Sequence, residues 1–155
     1  MNQRVKAIII QKNRILTIER FKPNPDRIFW AFPGGGVEKE DKNSEDALIR
    51  ECKEEVGVKV LVIKNIWNRI FEGHEEKFYI CKITGGKVGK GYGPEYDTKN
   101  NEYEGIHKPK WLKLSDLHKF DLKPTILRNE IIKISKNAKN DRLCFQNSVW
   151  SGLPR

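Results

Sequence analysis

Three acidic side chains follow one another at short spacing near the middle of the chain. Glu51, Glu54 and Glu55 stand in the segment Arg-Glu-Cys-Lys-Glu-Glu-Val-Gly, residues 50–57. On a helix, residues three and four apart share a face, so these carboxylates crowd together. Such like-charge pairs weaken a helix by roughly a few tenths of a kcal/mol each, and a hard divalent cation relieves the repulsion. The alternative is a solvated acidic surface, the usual explanation of an isolated charge run.

A glycine-rich segment precedes this acidic cluster. Residues 30–38 read Trp-Ala-Phe-Pro-Gly-Gly-Gly-Val-Glu, and Pro33 with the three glycines ends a short apolar strand. Without Cβ atoms, the backbone of residues 34–36 can approach a metal or a phosphate closely. A simple turn needs only two glycines. Strand, glycine-rich loop and carboxylate-bearing helix together predict a site for a metal–pyrophosphate group.

The periodicity of apolar residues predicts the elements that position these groups. Residues 12 and 13 suit the tight turn of an N-terminal hairpin. The segment 21–27 is predicted to be loop, and so is 87–108, whose length is uncommon unless it has a binding role. Strands mixed with two well-separated helices predict an α/β fold. The predicted strands span residues 5–10, 14–19, 28–32, 58–71, 76–83 and 109–114, and the predicted helices span residues 45–56 and 124–136.

The first predicted helix carries clear signals for its ends and for its buried side. Asn43 or Ser44 can cap its N-terminus, and Gly57 suits the position just after its last turn. Its apolar residues share one stripe at helical spacing: Ala47, Leu48, Cys52 and Val56. The stripe is expected to lie opposite the three glutamates.

Residues 34–58 resemble the Nudix box, which reads Gly, five residues, Glu, seven residues, then Arg-Glu-aliphatic-any-Glu-Glu-any-Gly-aliphatic. The resemblance covers about a sixth of the chain, and the preceding Phe-Pro-Gly-Gly-Gly-Val-Glu is also typical of the family. The order of strands and helices is similar to the family's α/β/α sandwich with a mixed central sheet. The matching positions are Arg50, Glu51, Cys52 in the aliphatic place, Glu54, Glu55, Gly57 and Val58.

The chain departs from the box at one point. If Gly35 is the box glycine, the early acidic position falls on Asp41, and eight residues rather than seven separate it from Arg50. The loop 39–43 must absorb the extra residue. Cys52 replaces a bulkier aliphatic residue, and cysteine packs as a small hydrophobe. Neither change touches the three glutamates.

The resemblance implies roles for these residues. Glu54 and Glu55 would be the main ligands of Mg²⁺ (or Mn²⁺), Glu51 would add a ligand or help to activate water, and the Gly35 carbonyl would complete the metal site. Arg50 would orient the glutamates. Glu51, Glu54 and Arg50 are therefore the expected catalytic group. Members of the family hydrolyse nucleoside diphosphates linked to another moiety, with metal neutralising the pyrophosphate and activating water.

Further acids and a histidine outside the matching Arg-Glu half of the box are also candidates. Asp41 and Glu95 are the candidates for an additional acid, and Glu102 and Glu104 lie near Glu95. Solvated loop acids are an equally good interpretation of the last three. His74 could face the cleft, although a lone histidine near a strand turn more often lies at the surface.

The sequence indicates less about the substrate than about the metal site. Four aromatic side chains could stack on a base: Phe21, Trp30, Trp67 and Tyr92. Arg20 or Arg69 could hold phosphates. Both tryptophans are just as well explained as core residues, since aromatics at strand positions are commonly buried. Nothing in the sequence specifies the base.

Composition bounds the class of protein. The 155 residues suit one domain, which we place at residues 1–136, followed by a polar, basic tail at 137–155. A hydrophobic content of 37% in periodic runs argues against disorder. Three scattered cysteines indicate reduced, buried thiols and a cytoplasmic protein, and we recognise neither a signal peptide nor a membrane span. The sequence leaves the oligomeric state open, with a homodimer as one option.

Positive charge is concentrated in the last third of the chain. From Lys108 onward there are eleven Lys and Arg against four Asp and Glu, a net +7, whereas the first 107 residues carry only +2 of the total +9. A basic flank can attract phosphate or nucleic acid. We favour the simpler interpretation of a solvated helix face and tail, because no RNA-binding aromatic motif accompanies the charges.

Three functions are consistent with these patterns. The leading one is a metal-dependent hydrolase that cleaves a phosphoanhydride bond in a small nucleotide, either a nucleoside triphosphate or a nucleotide sugar. The second is removal of pyrophosphate from the 5′ end of RNA, which the basic last third supports. The third is a nucleotide-binding module without catalysis, which would be expected to lack one or more of the box glutamates.

Overall fold

The structure is a computed structural model that describes residues 2–89, 106–137 and 144–154. Strands and helices mix along the chain, so the predicted α/β class is confirmed. The strands are β1 (Asn2–Gln11), β2 (Arg14–Lys22), β3 (Arg27–Ala31), β4 (Gly34–Gly36), β5 (Val58–Phe71), β6 (His74–Gly86), β7 (Ile106–Lys113) and β8 (Leu122–Lys123). The helices are α1 (Ser44–Val56), α2 (Thr125–Asn137) and the short α3 (Cys144–Asn147), with a 3₁₀ helix at Leu114–Lys119.

The strands form a mixed sheet, as the sequence predicts. Its order is β5-β6-β1-β2-β3-β8, with β4 paired to β1 and β7 paired to β2. Two pairs run parallel, β1 with β6 and β3 with β8, and the other pairings found in the described residues are antiparallel. Strand β1 lies at the centre, so it touches both the glycine strand β4 and the long hairpin β5–β6.

Two apolar clusters cover opposite faces of the sheet and give the fold its layers. One cluster joins α1 to alternate residues of β1, including Val5, Ala7 and Ile9. The other joins α2 to Ile8 and Phe78. Alternation along β1 explains why neighbouring residues serve different layers. Residues of α1 and α2 with no exposed surface are Ala47, Leu48, Cys52, Val56, Leu127 and Ile131.

The N-terminal hairpin is confirmed, although its second strand is longer than predicted. Lys12 and Asn13 both have positive φ, 52° and 61°, which fits a two-residue turn with the twist of the flanking strands. Strand β2 continues to Lys22, through positions predicted to be loop. It does so because Phe21 pairs with both β3 and β7, so its backbone groups are satisfied on two sides.

The sequence did not predict the short elements or the first residues of β7. Gly34–Gly36 form β4 through backbone pairing with Arg4–Lys6, and three glycines carry no side-chain pattern that could announce a strand. Residues 106–108, predicted as loop, pair with residues 19–21. The 3₁₀ helix and β8 are likewise too short to show a period.

Residues 144–154 pack back onto the body. Phe145 and Leu153 are buried in the cluster under α2, and the indole Nε1 of Trp67 donates a hydrogen bond to the Pro154 carbonyl at 2.7 Å. In the parts of the chain that the structure describes, no helix has both the length and the apolar character needed to cross a membrane.

Candidate active site

Helix α1 is fixed at both ends and along its buried stripe. The Asn43 side chain accepts a hydrogen bond from the Asp46 amide at 2.8 Å, and Gly57, with φ of 78°, donates its N–H to the Lys53 carbonyl. Both predicted end signals are thus confirmed, with Asn43 as the cap. The helix cannot rotate without exposing its stripe, so its acidic residues hold a fixed direction.

Glu55 ties this helix to the glycine strand. It is only 9% exposed, and its carboxylate accepts a hydrogen bond from the Gly34 amide at 2.9 Å. Gly34 has φ of 151°, and a Cβ there would lie 1.9 Å from the Val5 carbonyl oxygen. Only glycine lets β4 run this close to β1 while pointing its amide at the helix.

Gly35 makes room for a second box glutamate. A Cβ on Gly35 would lie 2.5 Å from the carboxylate of Glu51, closer than any real contact, whereas a Cβ on Gly36 would meet nothing within 4 Å. The Glu51 carboxylate therefore lies directly over the Gly35 backbone. Helix α1 and strand β4 form one unit in which the glycines set the positions of the glutamates.

This contact predicts different outcomes for two neighbouring glycines. In Gly35→Ala the Glu51 carboxylate must move, so we expect kcat/KM to fall by about 10- to 100-fold, because small misplacements of catalytic groups have effects of this size. The displaced group is the end of a side chain, so the melting temperature should change little. Gly36→Ala is the matched control and should behave like the parent. Equal activities for the two variants in a metal-dependent turnover assay would contradict the prediction.

Arg50 connects the helix, the glycine strand and the preceding loop. Its Nη1 lies 3.1 Å from Glu51 Oε1 and 3.1 Å from Glu54 Oε2, and its Nη2 donates to the Gly36 carbonyl at 3.0 Å. Asp41 accepts from Nε and Nη2, both at 2.9 Å, in a bidentate pair. A planar guanidinium is suited to such a fork. These acidic partners raise the pKa of Arg50, with the Asp41 hydrogen bond as the largest cause.

The carboxylate of Asp41 binds Arg50. Its side chain is 7% exposed, and Oδ2 also accepts from the Glu38 amide at 2.8 Å. The hydrogen bond from Arg50 lowers the pKa of Asp41 below its ordinary value. The loop before Ser44 is one residue longer than in the box pattern, but Asp41 still reaches Arg50. The extra residue therefore does not separate the early acid from the arginine. Asp41 does not line the cleft that is bounded by Glu51, Glu54 and Glu55.

The three box glutamates share one cleft with a group of cations. This cleft, about 240 Å³ in volume, is lined by glycines 34–36 as well and is called the acidic chamber below. Its lining includes four carboxylates, those of Glu38, Glu51, Glu54 and Glu55, and three cations, those of Arg4, Lys6 and Arg20. Burial lowers the pKa of Lys6, although the nearby Glu55 and Glu76 raise it. The cleft thus presents both signs of charge to a ligand.

His107 is a buried histidine in the same chamber that sequence reasoning missed. It is 9% exposed and lies opposite Arg20 in the β2–β7 pairing. Within the described residues, neither ring nitrogen has a hydrogen-bond partner. Burial, with help from Arg20 and Lys6, lowers the pKa of His107 to about 4, so the ring is neutral near pH 7. A neutral imidazole can both donate and accept a hydrogen bond in the cleft.

His107 makes stability depend on pH in a defined window. Its pKa is about 4 in the folded chain against an ordinary 6.5, so the unfolded chain binds more protons between these values. Its contribution to the free energy of unfolding is present above pH 6.5 and is lost as pH falls toward 4. We expect the parent to lose about 2–3 kcal/mol more than His107→Gln across this window. Urea unfolding at several pH values measures it, with the exposed His118→Gln as control; parallel curves for parent and His107→Gln would contradict it.

A second cavity of about 330 Å³ adjoins the acidic chamber and is called the aromatic chamber below. The two share Arg4, Lys6, Arg20, Ala31 and Phe32 in their linings. The aromatic chamber adds Arg69, Phe71, Glu72, His74, Glu76, Phe78, Lys123 and Pro124. Three of the five shared residues are cationic, so positive charge marks the boundary between the two spaces.

The residues suggested for substrate contact fall in different places. Arg20 lines both chambers, and Arg69 and His74 line the aromatic one. Trp67 is 8% exposed and stacks on Phe78 in the core, so the structure supports its interpretation as a core residue. Phe21 is half-buried in β2 and lines neither chamber. The candidates Tyr92 and Glu95, with Glu102 and Glu104, lie outside the described residues.

Arg4 and Lys6 are the cleft residues whose signal was present in the sequence. They alternate with Val5 and Ala7 in the first strand, so both cations share a face of β1 with Ile8, which is part of the core cluster under α2. Two cations on the core face of a strand are unusual without a partner. Their proximity to the glutamates, by contrast, follows from the pairing of β1 with β4.

The donors in the acidic chamber suit a divalent cation. Across the described residues, no three acidic, histidine or cysteine side chains converge as a ready-made metal cage. The donors that line the chamber are nevertheless hard carboxylate oxygens, the kind that Mg²⁺ and Mn²⁺ prefer. Arg50 offsets part of the repulsion between Glu51 and Glu54, which keeps both in the chamber wall.

Known proteins are similar to this chain in sequence and in fold. The chain is 35% identical over 123 residues to a protein of Buchnera aphidicola named 8-oxo-dGTP diphosphatase, covering 76% of this chain and 81% of the relative. It is 28% identical over 96 residues to an RNA pyrophosphohydrolase of Orientia tsutsugamushi, covering 51% of this chain and 58% of that protein. An ADP-ribose pyrophosphatase structure from Streptococcus suis superposes with a TM-score of 0.60 at 18% identity, covering 91% and 93% of the two chains, and shows the likeness of fold alone.

The family model of the NUDIX domain matches residues 1–131, which is most of the chain. This match contains β1, the glycine strand β4 and α1, the elements whose packing sets the positions of the glutamates. The resemblance of residues 34–58 is therefore confirmed over a much longer stretch, and the chain belongs to the Nudix hydrolase family.

Proposed function

We propose that the chain is a divalent metal-dependent pyrophosphohydrolase whose substrate is a small nucleotide carrying a diphosphate, with a nucleoside triphosphate as the leading class and a nucleotide sugar as the next. The observation that carries this proposal is the acidic chamber, where three box glutamates face Arg4, Lys6 and Arg20. A metal–diphosphate complex presents a cation and several anionic oxygens side by side. A cleft lined by both carboxylates and cations complements both.

Different residues of the chain have different roles in the proposed reaction. Glu54 and Glu55 hold the metal, with Glu51 as a further ligand or the group that orients attacking water and with the Gly35 carbonyl nearby. Arg50 and its partner Asp41 position these carboxylates. Arg4, Lys6 and Arg20 bind phosphate oxygens and offset their charge. When bound, Mg²⁺ or Mn²⁺ supplies charge neutralisation and lowers the pKa of coordinated water.

A substrate panel tests the proposal. Nucleoside triphosphates including 8-oxo-dGTP, ADP-ribose, and a 5′-triphosphorylated RNA oligonucleotide are each incubated with Mg²⁺, Mn²⁺ or EDTA. We expect pyrophosphate or phosphate release from at least one small nucleotide, and none with EDTA. The relative named 8-oxo-dGTP diphosphatase supports placing triphosphates first. The absence of turnover on the whole panel would instead favour a nucleotide-binding module.

RNA is the second candidate substrate. The relative named RNA pyrophosphohydrolase and the net +7 charge from Lys108 onward support it. Binding through many phosphates releases counterions, so RNA affinity would fall steeply with salt, whereas a mononucleotide with few phosphates would respond weakly. Measuring kcat/KM for the oligonucleotide and for GTP between 50 and 200 mM salt, roughly a fourfold range, separates the two classes.

We further propose a reducing, cytoplasmic environment and a domain at residues 1–136 with a docked tail. Cys52 and Cys81 are both buried as free thiols, and burial raises the pKa of Cys81 to about 12. Such thiols stay protonated and unreactive. The contacts of Phe145, Leu153 and Pro154 with the body support a docked tail.

A further inference from the structure

We propose that His107 binds the substrate by donating a hydrogen bond to a phosphate group that Arg20 also contacts. This inference rests on the proposed function, because it adds a residue to the phosphate-binding part of the same cleft. The placement of His107, its missing hydrogen bonds and the charges beside it each support the assignment.

His107 and Arg20 belong to one row of side chains that crosses three strands. In the strand pairings, Arg20 of β2 lies opposite Phe29 of β3 on one side and opposite His107 of β7 on the other. Directly opposite residues project from the same face of a sheet, with their Cβ atoms roughly 4.5–5.5 Å apart. Ile18, two residues before Arg20 on that face, lines the acidic chamber together with Arg20 and His107. The row therefore brings the imidazole beside the guanidinium at the wall of the chamber.

An aromatic neighbour supports Arg20 in this row. Its guanidinium carbon lies 5.5 Å from the centre of the Phe29 ring, which is within the range of a cation–π contact. Such a contact uses a face of the guanidinium, whereas the N–H donors lie in its plane. Packing against Phe29 therefore does not compete with binding of an anion by those donors.

The imidazole of His107 lacks the hydrogen bonds that a buried polar group needs. The residue is 9% exposed, both ring nitrogens are shielded from solvent, and neither has a partner in the parts of the chain that the structure describes. A buried polar group without a partner is costly, so such groups are rare in folded proteins. His107 lines the chamber, so a ligand bound there can supply the missing partner. A half-turn of the ring about its Cβ–Cγ bond exchanges each nitrogen with a carbon and leaves the outline of the ring unchanged, so the ring can turn toward the ligand without a change in packing.

The charges beside His107 indicate which kind of ligand completes the site. Burial, together with the positive charges of Arg20 and Lys6, lowers the pKa of His107 to about 4, so near pH 7 the neutral ring carries one N–H. Two cations beside this donor attract an anion and repel a metal ion, and Mg²⁺ prefers oxygen ligands. A phosphate oxygen is anionic and accepts hydrogen bonds, so it suits the imidazole, the guanidinium and the ammonium group together.

Two pairs of variants test the assignment. Gln and Met have the same length, and Asn and Leu are similar in size, but only the two amides carry N–H donors. Calorimetry in the presence of Mg²⁺ measures binding of methylenediphosphonate, a diphosphate analogue whose P–C–P bridge resists hydrolysis. We expect His107→Met and His107→Leu to raise Kd by about 10- to 100-fold, because a hydrogen bond to a charged group is lost. At least one of His107→Gln and His107→Asn should restore most of the affinity.

Thermal unfolding separates binding from a structural role. Replacing an unpartnered buried polar group with an apolar side chain removes a cost of folding, so His107→Leu should melt at the temperature of the parent or above it. Weaker binding by a variant that melts no lower than the parent supports the proposal. An unchanged Kd in both apolar variants overturns it, and the Met–Gln pair gives the same comparison if His107→Leu does not fold. His118→Leu, at an exposed histidine of the 3₁₀ helix, is the control and should change neither quantity.

Hydrolysis distinguishes this inference from the proposed function. On the best substrate of the panel, His107→Met should raise KM with little change in kcat, because a hydrogen bond made equally in the ground and transition states affects binding alone. If no nucleotide is hydrolysed but the diphosphonate binds through His107, the proposed function fails and the inference stands. If nucleotides are hydrolysed and neither KM nor Kd depends on His107, the inference is overturned and the function stands. A parent protein that does not bind the diphosphonate also overturns the inference.

Discussion

Replacing Glu54 with Gln is expected to lower kcat/KM by about 10³-fold while the fold stays intact. A metal–carboxylate interaction that stabilises the transition state is worth several kcal/mol, which corresponds to a loss of that size. The structure explains why folding should not suffer. Glu54 is 34% exposed, and its ion pair with Arg50 is of the surface i,i+4 type, worth well under about 1 kcal/mol. Gln keeps the shape and removes the charge.

Two measurements check this expectation. Initial rates on the best substrate of the panel give kcat/KM, and thermal unfolding gives stability. Glu45→Gln, an exposed acid in the first turn of the same helix, is the control and should keep parental activity. Parental turnover by Glu54→Gln would contradict the role proposed for the box glutamates. A large loss of stability would show instead that the residue serves the fold.

Replacing Arg50 with Lys is the second change with a large expected effect, and it should affect activity and stability together. Lys keeps the charge but cannot donate at once to Asp41, Gly36 and the two glutamates. Asp41, whose side chain is 7% exposed, would lose its bidentate partner. We expect a loss of about 1–3 kcal/mol in the free energy of unfolding and a fall of about 100-fold in kcat/KM.

The dependence on metal concentration distinguishes positioning from mere stability. If Arg50 orders Glu51 and Glu54, the variant should need more Mg²⁺ for half-maximal rate, even at temperatures where it is fully folded. Arg14→Lys, at an exposed position of β2, is the control for a charge-conserving change. An unchanged metal requirement in a folded Arg50→Lys protein would leave the arginine as a structural residue only.

The site shows how far local patterns reach. The order Arg50, Glu51, Glu54, Glu55 and the apolar stripe predicted the helix, because helical geometry is local. Asn43 and Gly57 predicted the ends of the helix for the same reason. The prediction that all three glutamates lie opposite the buried stripe was wrong for Glu55, which is buried because it accepts the Gly34 amide of the paired glycine strand. Arg69 and His74 were candidates from the sequence, but the cavity that joins them to Glu76 was not predicted, since it is formed by the β5–β6 hairpin and by Lys6, which is distant in sequence.

The sequence alone determined the family, the α/β class and the acidic helix, because each rests on residue spacing along a continuous segment. Tertiary structure decided what faces those acids. Parallel pairing of β1 with β6 and antiparallel pairing of β1 with β4 bring Arg4, Lys6, Glu76 and the glycines together from separate parts of the chain. Strand pairing between distant segments is set by the packing of the whole sheet, and no local period encodes it.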